Sequence, residues 1–176
     1  MNQPEFIPNS DWRLVVRKCV QGGVNPYLIA AIGWHETHWG RLGWGKLGFH
    51  LGVGCYTETD ADYSLQGLEK QVSWAVNQLQ SYVLWLPNLS LLTTFAKKIW
   101  RPGNPEKWAE SVNSFFEKYM KLYGQDLYSY VPPPEWAKKV LLDFYDQGFV
   151  NTPYGTTDFY RFVVTLQNVI KFYLLR

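Results

Sequence analysis

Residues 33–40 read Gly-Trp-His-Glu-Thr-His-Trp-Gly, so His35 and His38 flank Glu36 inside an apolar run. Two chemistries can use such a cluster. A metallopeptidase helix carries two metal-ligating histidines four residues apart on one face, with a glutamate beside the first as general base. Here the histidines are three apart, and Trp39 stands where the second ligand would complete the spacing. Three-residue spacing can still bring two ligands to one metal, with His50 as a third, but the pattern is broken and no metal site is assigned. The other chemistry needs only the glutamate. Breaking a glycosidic bond requires an acid that protonates the leaving oxygen while the sugar ring gains oxocarbenium character. Glu36 shares a helical face with Ile29 and Ile32 and lies in the last turn before Gly40. Desolvation and the negative end of the helix macrodipole both favour the neutral acid over the carboxylate there. Glu36 is therefore the candidate general acid; a partly exposed glutamate at a helix end is the plain alternative.

Both usual glycosidase mechanisms place a second carboxylate across the scissile bond. Glu58, Asp60 and Asp62, in the stretch Cys-Tyr-Thr-Glu-Thr-Asp-Ala-Asp-Tyr-Ser, are the candidates nearest to Glu36. The same three acids also read as a solvated loop, with Asp62 helping to begin a helix near Ser64. Trp39, Trp44, Phe49, Tyr56 and Tyr63 lie on or around the glycine-dense stretch of residues 40–54. Sugar rings stack on aromatic faces, and glycines let a polymer approach the backbone closely. Two or three of these rings are expected to touch substrate and the rest to pack. Trp108 and Phe116 share one helical stripe and are assigned to the core.

The elements that must hold these groups are helices. Asn9-Ser10-Asp11 reads as an N-cap, and Trp12, Val15, Val16, Cys19 and Val20 follow at helical spacing up to Gly22-Gly23. Asn25-Pro26 opens a second helix, which should run through Trp39 to Gly40. Residues 41–63 have no helical period and read as a small irregular or β lobe. Ser64 should cap a long amphipathic helix reaching Tyr82 and Val83, broken by Leu86-Pro87. A shorter helix over 89–99 follows. Asn104-Pro105 then repeats the earlier opening and begins a helix through Trp108, Val112 and Phe116 to Gly124. Pro132-Pro133-Pro134 favours an extended spacer. Two helices beyond it, over 135–146 and 157–174, read as a hairpin. The division is 1–125 for a catalytic domain and 126–176 for the hairpin, packed on the first.

Composition bounds the rest. The chain of 176 residues is 47% hydrophobic and 18% aromatic, with 9 Trp, 12 Tyr and 10 Phe, which is enough to bury a core. A net charge of +2 is too small for a nucleic-acid footprint. No apolar stretch approaches the roughly 18 residues of a membrane span, and no signal peptide is visible at the start. Cys19 and Cys55 are too few for a disulfide framework or a zinc site of their own; free thiols are expected, with a bridge left open. A monomer without a cofactor is expected.

The stretch Tyr27-Leu-Ile-Ala-Ala-Ile-Gly-Trp-His-Glu-Thr-His-Trp-Gly-Arg-Leu-Gly43 resembles the catalytic helix of the lysozyme-like superfamily, closest to autolysin-type glucosaminidases and lytic transglycosylases. In those families an apolar helix ends in the catalytic glutamate, often followed closely by Trp-Gly. The segment Gly48-Phe-His-Leu-Gly-Val-Gly54 is similar to the loop that follows, although Phe49 and His50 stand where the families usually have asparagines. Residues 63–82 resemble the next long helix, including Gln71, and residues 104–119 the closing helix. The likeness covers about residues 10–124. It implies a lysozyme-like α+β fold, cleavage of the peptidoglycan glycan strand with Glu36 as acid, and a substrate groove that includes His50 and Gln71. It also allows a mechanism without a second carboxylate, in which the substrate's acetamido group stabilises the cation and Glu36 is acid and then base. The tail, with Trp136-Ala137, Gly148-Phe149-Val150-Asn151 and a second apolar helix, loosely resembles one S-layer homology module. A wall enzyme without an export signal would be a phage lysin released on lysis, or a lytic part of a virion. The alternatives are a non-enzymatic glycan-binding protein with this fold and a His-ligated metallopeptidase.

Overall fold

The structure is a computed structural model that describes residues 2–57, 59–82 and 85–174. Seven α-helices occur among the described residues: α1 (Asn9–Gly22), α2 (Pro26–Thr37), α3 (Leu68–Leu79), α4 (Leu89–Phe95), α5 (Pro105–Tyr123), α6 (Glu135–Asp146) and α7 (Thr157–Leu174). The fold is mainly α. No strand occurs among the described residues; the antiparallel bridges Cys55–Ala61 and Val131–Gly155 are isolated. The expected lobe at 41–63 is thus irregular, made of turns and two short 3-10 segments (Gly43–Leu47 and Tyr63–Leu65), and has no sheet. Its glycines, many in the left-handed region, do not support an extended ladder.

Helix α2 is apolar on every side, and Pro26 through Gly33 are all buried. A helix of that kind belongs at the centre. It packs most extensively against α5, while α1 packs on α3, and α4 on α5. Both Asn-Pro openings are realised. Asn25 Oδ1 accepts from the Tyr27 N–H at 3.0 Å and Asn104 Oδ1 from the Lys107 N–H at 3.0 Å, each with proline at the start of the helix. Helix α1 instead begins at Asn9 directly after Pro8, with no side-chain cap.

Helix α2 stops at Thr37 rather than at Gly40. His38, Trp39 and Gly40 are all left-handed, with φ of 47°, 57° and 82°. Left-handed backbone is costly for residues with a Cβ, so packing must hold it. The Trp39 ring lies on Gly33, where a Cβ would come within 2.6 Å of it. The Trp39 indole N–H donates to Asp11 Oδ2 at 3.1 Å. The turn also ties off the helix end, because the N–H groups of His38 and Trp39 donate to the carbonyls of Trp34 and Gly33.

Ser64 does not cap α3. Asp62 accepts from the Ser64 N–H and starts the 3-10 turn, and α3 begins at Leu68 after Gly67, which has φ 104°. Helix α3 ends at Leu79; Val83 lies outside the described residues.

The hairpin of α6 and α7 has its own small core of Ala137, Val140, Leu141, Phe144, Tyr160 and Val163. It also docks on the main body. Leu142 and Tyr145 pack against the larger core, and Tyr154 is part of it. Arg17 pairs with both carboxylate oxygens of Asp146 at 2.8 Å, and Lys138 donates to the Gln21 carbonyl. Leu127 is fully buried in the main core, and the Trp85 indole donates to its carbonyl at 3.1 Å. Leu127 therefore packs with the first body. No helix among the described residues is long and apolar enough to cross a membrane.

Candidate active site

Glu36 is half-buried in the last turn of α2. Its Oε1 accepts two indole N–H groups, from Trp100 at 2.8 Å and from Trp108 at 2.6 Å. The two rings lie 5.6 Å apart and form one wall of the site. Trp108 arrives on the first turn of α5. Trp100 arrives on a π-helical turn, Ala96–Trp100, that continues α4 and closes with the Arg101 N–H on the Ala96 carbonyl. Such a wide turn is rare in helices and recurs at functional sites. Oε1 is thus a double acceptor, and Oε2 is the carboxyl oxygen outside these two hydrogen bonds. Oε2 faces Gly52, where a Cβ would lie 3.2 Å from it; with φ 68°, Gly52 also favours glycine conformationally.

Gly52 and Trp100 both line a cleft of about 580 Å³ between the glycine-rich loop, α3 and the π turn. A second hollow, of about 550 Å³, is lined by Trp44, Leu47 and Thr57, and the two share Cys55 and Tyr56. Glu36 therefore stands beside a surface channel that reaches the aromatic side of the loop.

The expected site residues divide. Trp44 and Tyr56 line the channel, and Tyr63 is exposed with its ring against Trp44. Trp44 is anchored by its indole N–H on the Thr57 carbonyl at 2.8 Å. Phe49 and Trp39 do not present a face to substrate, because both are buried: Phe49 lies beneath Trp44 and Tyr63, and Trp39 lies on Gly33. Gln71 is also fully buried. Its Oε1 accepts from the N–H groups of Leu51 and Val53, and its Nε2 donates to the carbonyls of Val53 and Leu65. It shapes the loop behind Glu36 and has no free polar atom for a ligand. His50 packs over Gly40 and against Trp39, and its carbonyl accepts from the Thr37 hydroxyl.

Of the second-acid candidates, Asp60 and Asp62 are among the described residues. Asp60 is exposed, and its carbonyl closes the loop through the N–H groups of Tyr56 and Thr57. Asp62 caps the turn at Ser64, and the hydrogen bonds from Ser64 hold its carboxyl below the usual range. Glu58 lies outside the described residues. The histidines are engaged separately: His35 Nδ1 with Ser111 Oγ at 2.8 Å, and the His38 ring edge-on to Trp34. Among the described residues, no three His, Cys, Asp or Glu side chains converge as a metal site.

Sequence reasoning assigned Trp108 to the core and did not single out Trp100. The Trp108 ring is indeed buried, yet its N–H is directed at Glu36. The only sequence signal was the placement of these indoles near the Arg101-Pro102-Gly103 turn and the Asn-Pro helix start.

Cys19 and Cys55 are both free thiols. Cys19 is fully buried, and burial pushes its thiol up. Cys55 is pushed up to about 11 by burial and, second, by the negative charge of Glu36. Removing that charge in Glu36→Gln should ease thiolate formation and speed Cys55 alkylation at a fixed alkaline pH. Cys19 is shielded, so the folded protein reports Cys55. Equal alkylation rates would show that Cys55 does not sense Glu36.

No family model matches the chain, and no curated protein or solved structure matches it significantly.

Proposed function

We propose that the protein cleaves the glycan strand of peptidoglycan, with Glu36 as general acid, on a lysozyme-like fold. The observation that carries this reading is the pair of indole donors on Glu36 Oε1, with Oε2 beside Gly52, a residue that lines the cleft. Glu36 thus has one oxygen held by two donors and the other next to Gly52, whose cleft shares Cys55 and Tyr56 with the hollow lined by Trp44.

The chemistry proceeds from that geometry. Oε2 protonates the glycosidic oxygen as the C1–O bond breaks, and the leaving sugar departs as an alcohol. The acetamido oxygen of the remaining sugar bonds to C1 and carries the positive charge. Glu36, now a carboxylate, removes a proton from an attacking water or from the sugar's own 6-hydroxyl as that oxygen displaces the acetamido group. This sequence uses one protein carboxylate twice and needs no second acid; the Asp62 carboxylate is taken up in capping the turn at Ser64. Release on lysis, or carriage on a virion, is the setting proposed for such an enzyme.

Mass spectrometry of peptidoglycan digested by the purified chain tests the reading. New reducing ends indicate hydrolysis, and 1,6-anhydro ends indicate attack by the 6-hydroxyl. Glycan strands left intact, while bound to the protein, would instead favour a non-enzymatic glycan-binding role.

A further inference from the structure

The cleft beside Glu36 has a feature that protonation of a glycosidic oxygen does not require. Lys98 and Arg101 both line it, together with Gly52, Cys55, Trp74 and Trp100, and among the described residues no carboxylate lines it, although that of Glu36 lies next to Gly52. The neighbouring Lys97 pairs with Glu106 at 2.7 Å, whereas Lys98 and Arg101 form no ion pair among the described residues. The π turn thus divides two adjacent lysines, one to a partner on α5 and one to the cleft.

Arg101 is held in an unusual backbone state. Its φ and ψ are 52° and 48°, left-handed for a residue with a Cβ. Its N–H donates to the Ala96 carbonyl at 2.7 Å and its Nε to the Lys98 carbonyl at 3.3 Å. The second bond engages Nε and leaves both terminal guanidinium nitrogens without a protein partner among the described residues. Left-handed non-glycine backbone persists where the surroundings hold it, and it clusters at ligand sites. Trp74 and Trp100 also line the cleft, edge-on to each other at 5.8 Å, so it combines apolar ring surface with two positive charges. A volume of about 580 Å³ suits one or two sugar rings with a substituent.

We propose that this cleft binds a carboxylate-bearing glycan, with Lys98 and Arg101 taking the carboxylate while a sugar ring lies along the tryptophans toward Glu36. The inference rests on the reading of Glu36 as a glycan-cleaving acid and deepens it by naming the anionic substituent that is recognised. A guanidinium suits a carboxylate because its paired N–H groups match the two oxygens, and a nearby ammonium adds charge. In peptidoglycan the carboxylate has two sources: the lactyl group of a peptide-free strand, or the acids of the stem peptide.

The test is calorimetric binding to the full chain carrying Glu36→Gln, so that no probe is consumed. The probes are a neutral N-acetylglucosamine tetrasaccharide, a peptide-free peptidoglycan tetrasaccharide and the same tetrasaccharide with its stem peptides. Adding Lys98→Gln and Arg101→Gln together should weaken an anionic probe about tenfold and leave the neutral probe unchanged. The charge-keeping pair Lys98→Arg and Arg101→Lys should retain most of the preference. Loss confined to the peptide-free probe assigns the lactyl carboxylate; loss confined to the peptide-bearing probe assigns the stem. Added salt should weaken only the anionic probes. Equal weakening of neutral and anionic probes, or no weakening of either, overturns the inference and leaves the glycan reading standing. If no glycan binds the parent chain, both fall.

Discussion

Glu36→Gln is expected to lower the rate of peptidoglycan cleavage by about a hundredfold or more while the protein stays folded. Glutamine is nearly the same shape, and its carbonyl oxygen can still accept from both Trp100 and Trp108. The group that replaces Oε2 is an amide NH2, which has no acidic proton to transfer. The loss should therefore fall on the chemical step. A purified variant with a wild-type melting temperature and near wild-type lytic rate would remove Glu36 from the mechanism. The indole donors extend the same prediction. Trp100→Phe or Trp108→Phe leaves ring bulk but frees Oε1, so kcat should fall about tenfold with KM little changed. A purely structural role would lower stability without that split. In the Glu36→Gln background the tryptophan substitutions should add almost nothing, because there is no longer a proton donor to position.

Tyr154→Ala should cost about 3–5 kcal/mol of stability, lowering the melting temperature by on the order of 10 °C. Tyr154 is 1% exposed, with its ring centroid 5.0 Å from that of Trp85 and its hydroxyl donating to the Val16 carbonyl at 3.3 Å. It lies in the loop of the hairpin, yet it belongs to the core that contains α1 and α2. Alanine there leaves a cavity beside Trp85, and a hydroxyl-free phenylalanine should cost much less. Cutting the chain after Tyr130 removes the same ring together with Leu142 and Tyr145. It should melt or aggregate the remainder, through exposed apolar surface rather than any loss of catalytic groups. A cut chain that unfolds as cooperatively as the whole one, and cleaves soluble glycan fragments, would show instead that the hairpin is an accessory.

The helical framework and the candidate acid were legible in the residues because their signals are local. An asparagine followed by proline caps a helix within three residues, and an apolar period shows within a few turns. Glu36 was identified by its own surroundings in sequence, at the end of an apolar helix. Other signals of the same kind were read too far. Trp39 looked like a continuation of α2 because nothing in its neighbours reports that its ring will settle on Gly33 and bend the backbone into three left-handed residues. Asp62 and Ser64 carried a correct capping signal, but it begins a 3-10 turn and not the long helix. Phe49 and Gln71 were placed in the groove by their position on or near the loop, whereas both are buried. An aromatic ring or an amide suits either setting, and only the packing chooses.

The sequence by itself determined a mainly α chain, the approximate positions of its helices and a glutamate in the last turn of an apolar helix. The tertiary structure decided what that glutamate touches. Its two hydrogen-bond donors come from 64 and 72 residues away, on separate elements, and no local pattern distinguishes an indole that packs from one that packs and also donates. The same holds for Lys98 and Arg101, which line one cleft with Gly52 and Trp74 only because the π turn, the glycine loop and α3 meet there. Helix formation depends on contacts a few residues apart, whereas a site depends on which faces dock, and docking depends on the shape of the whole core.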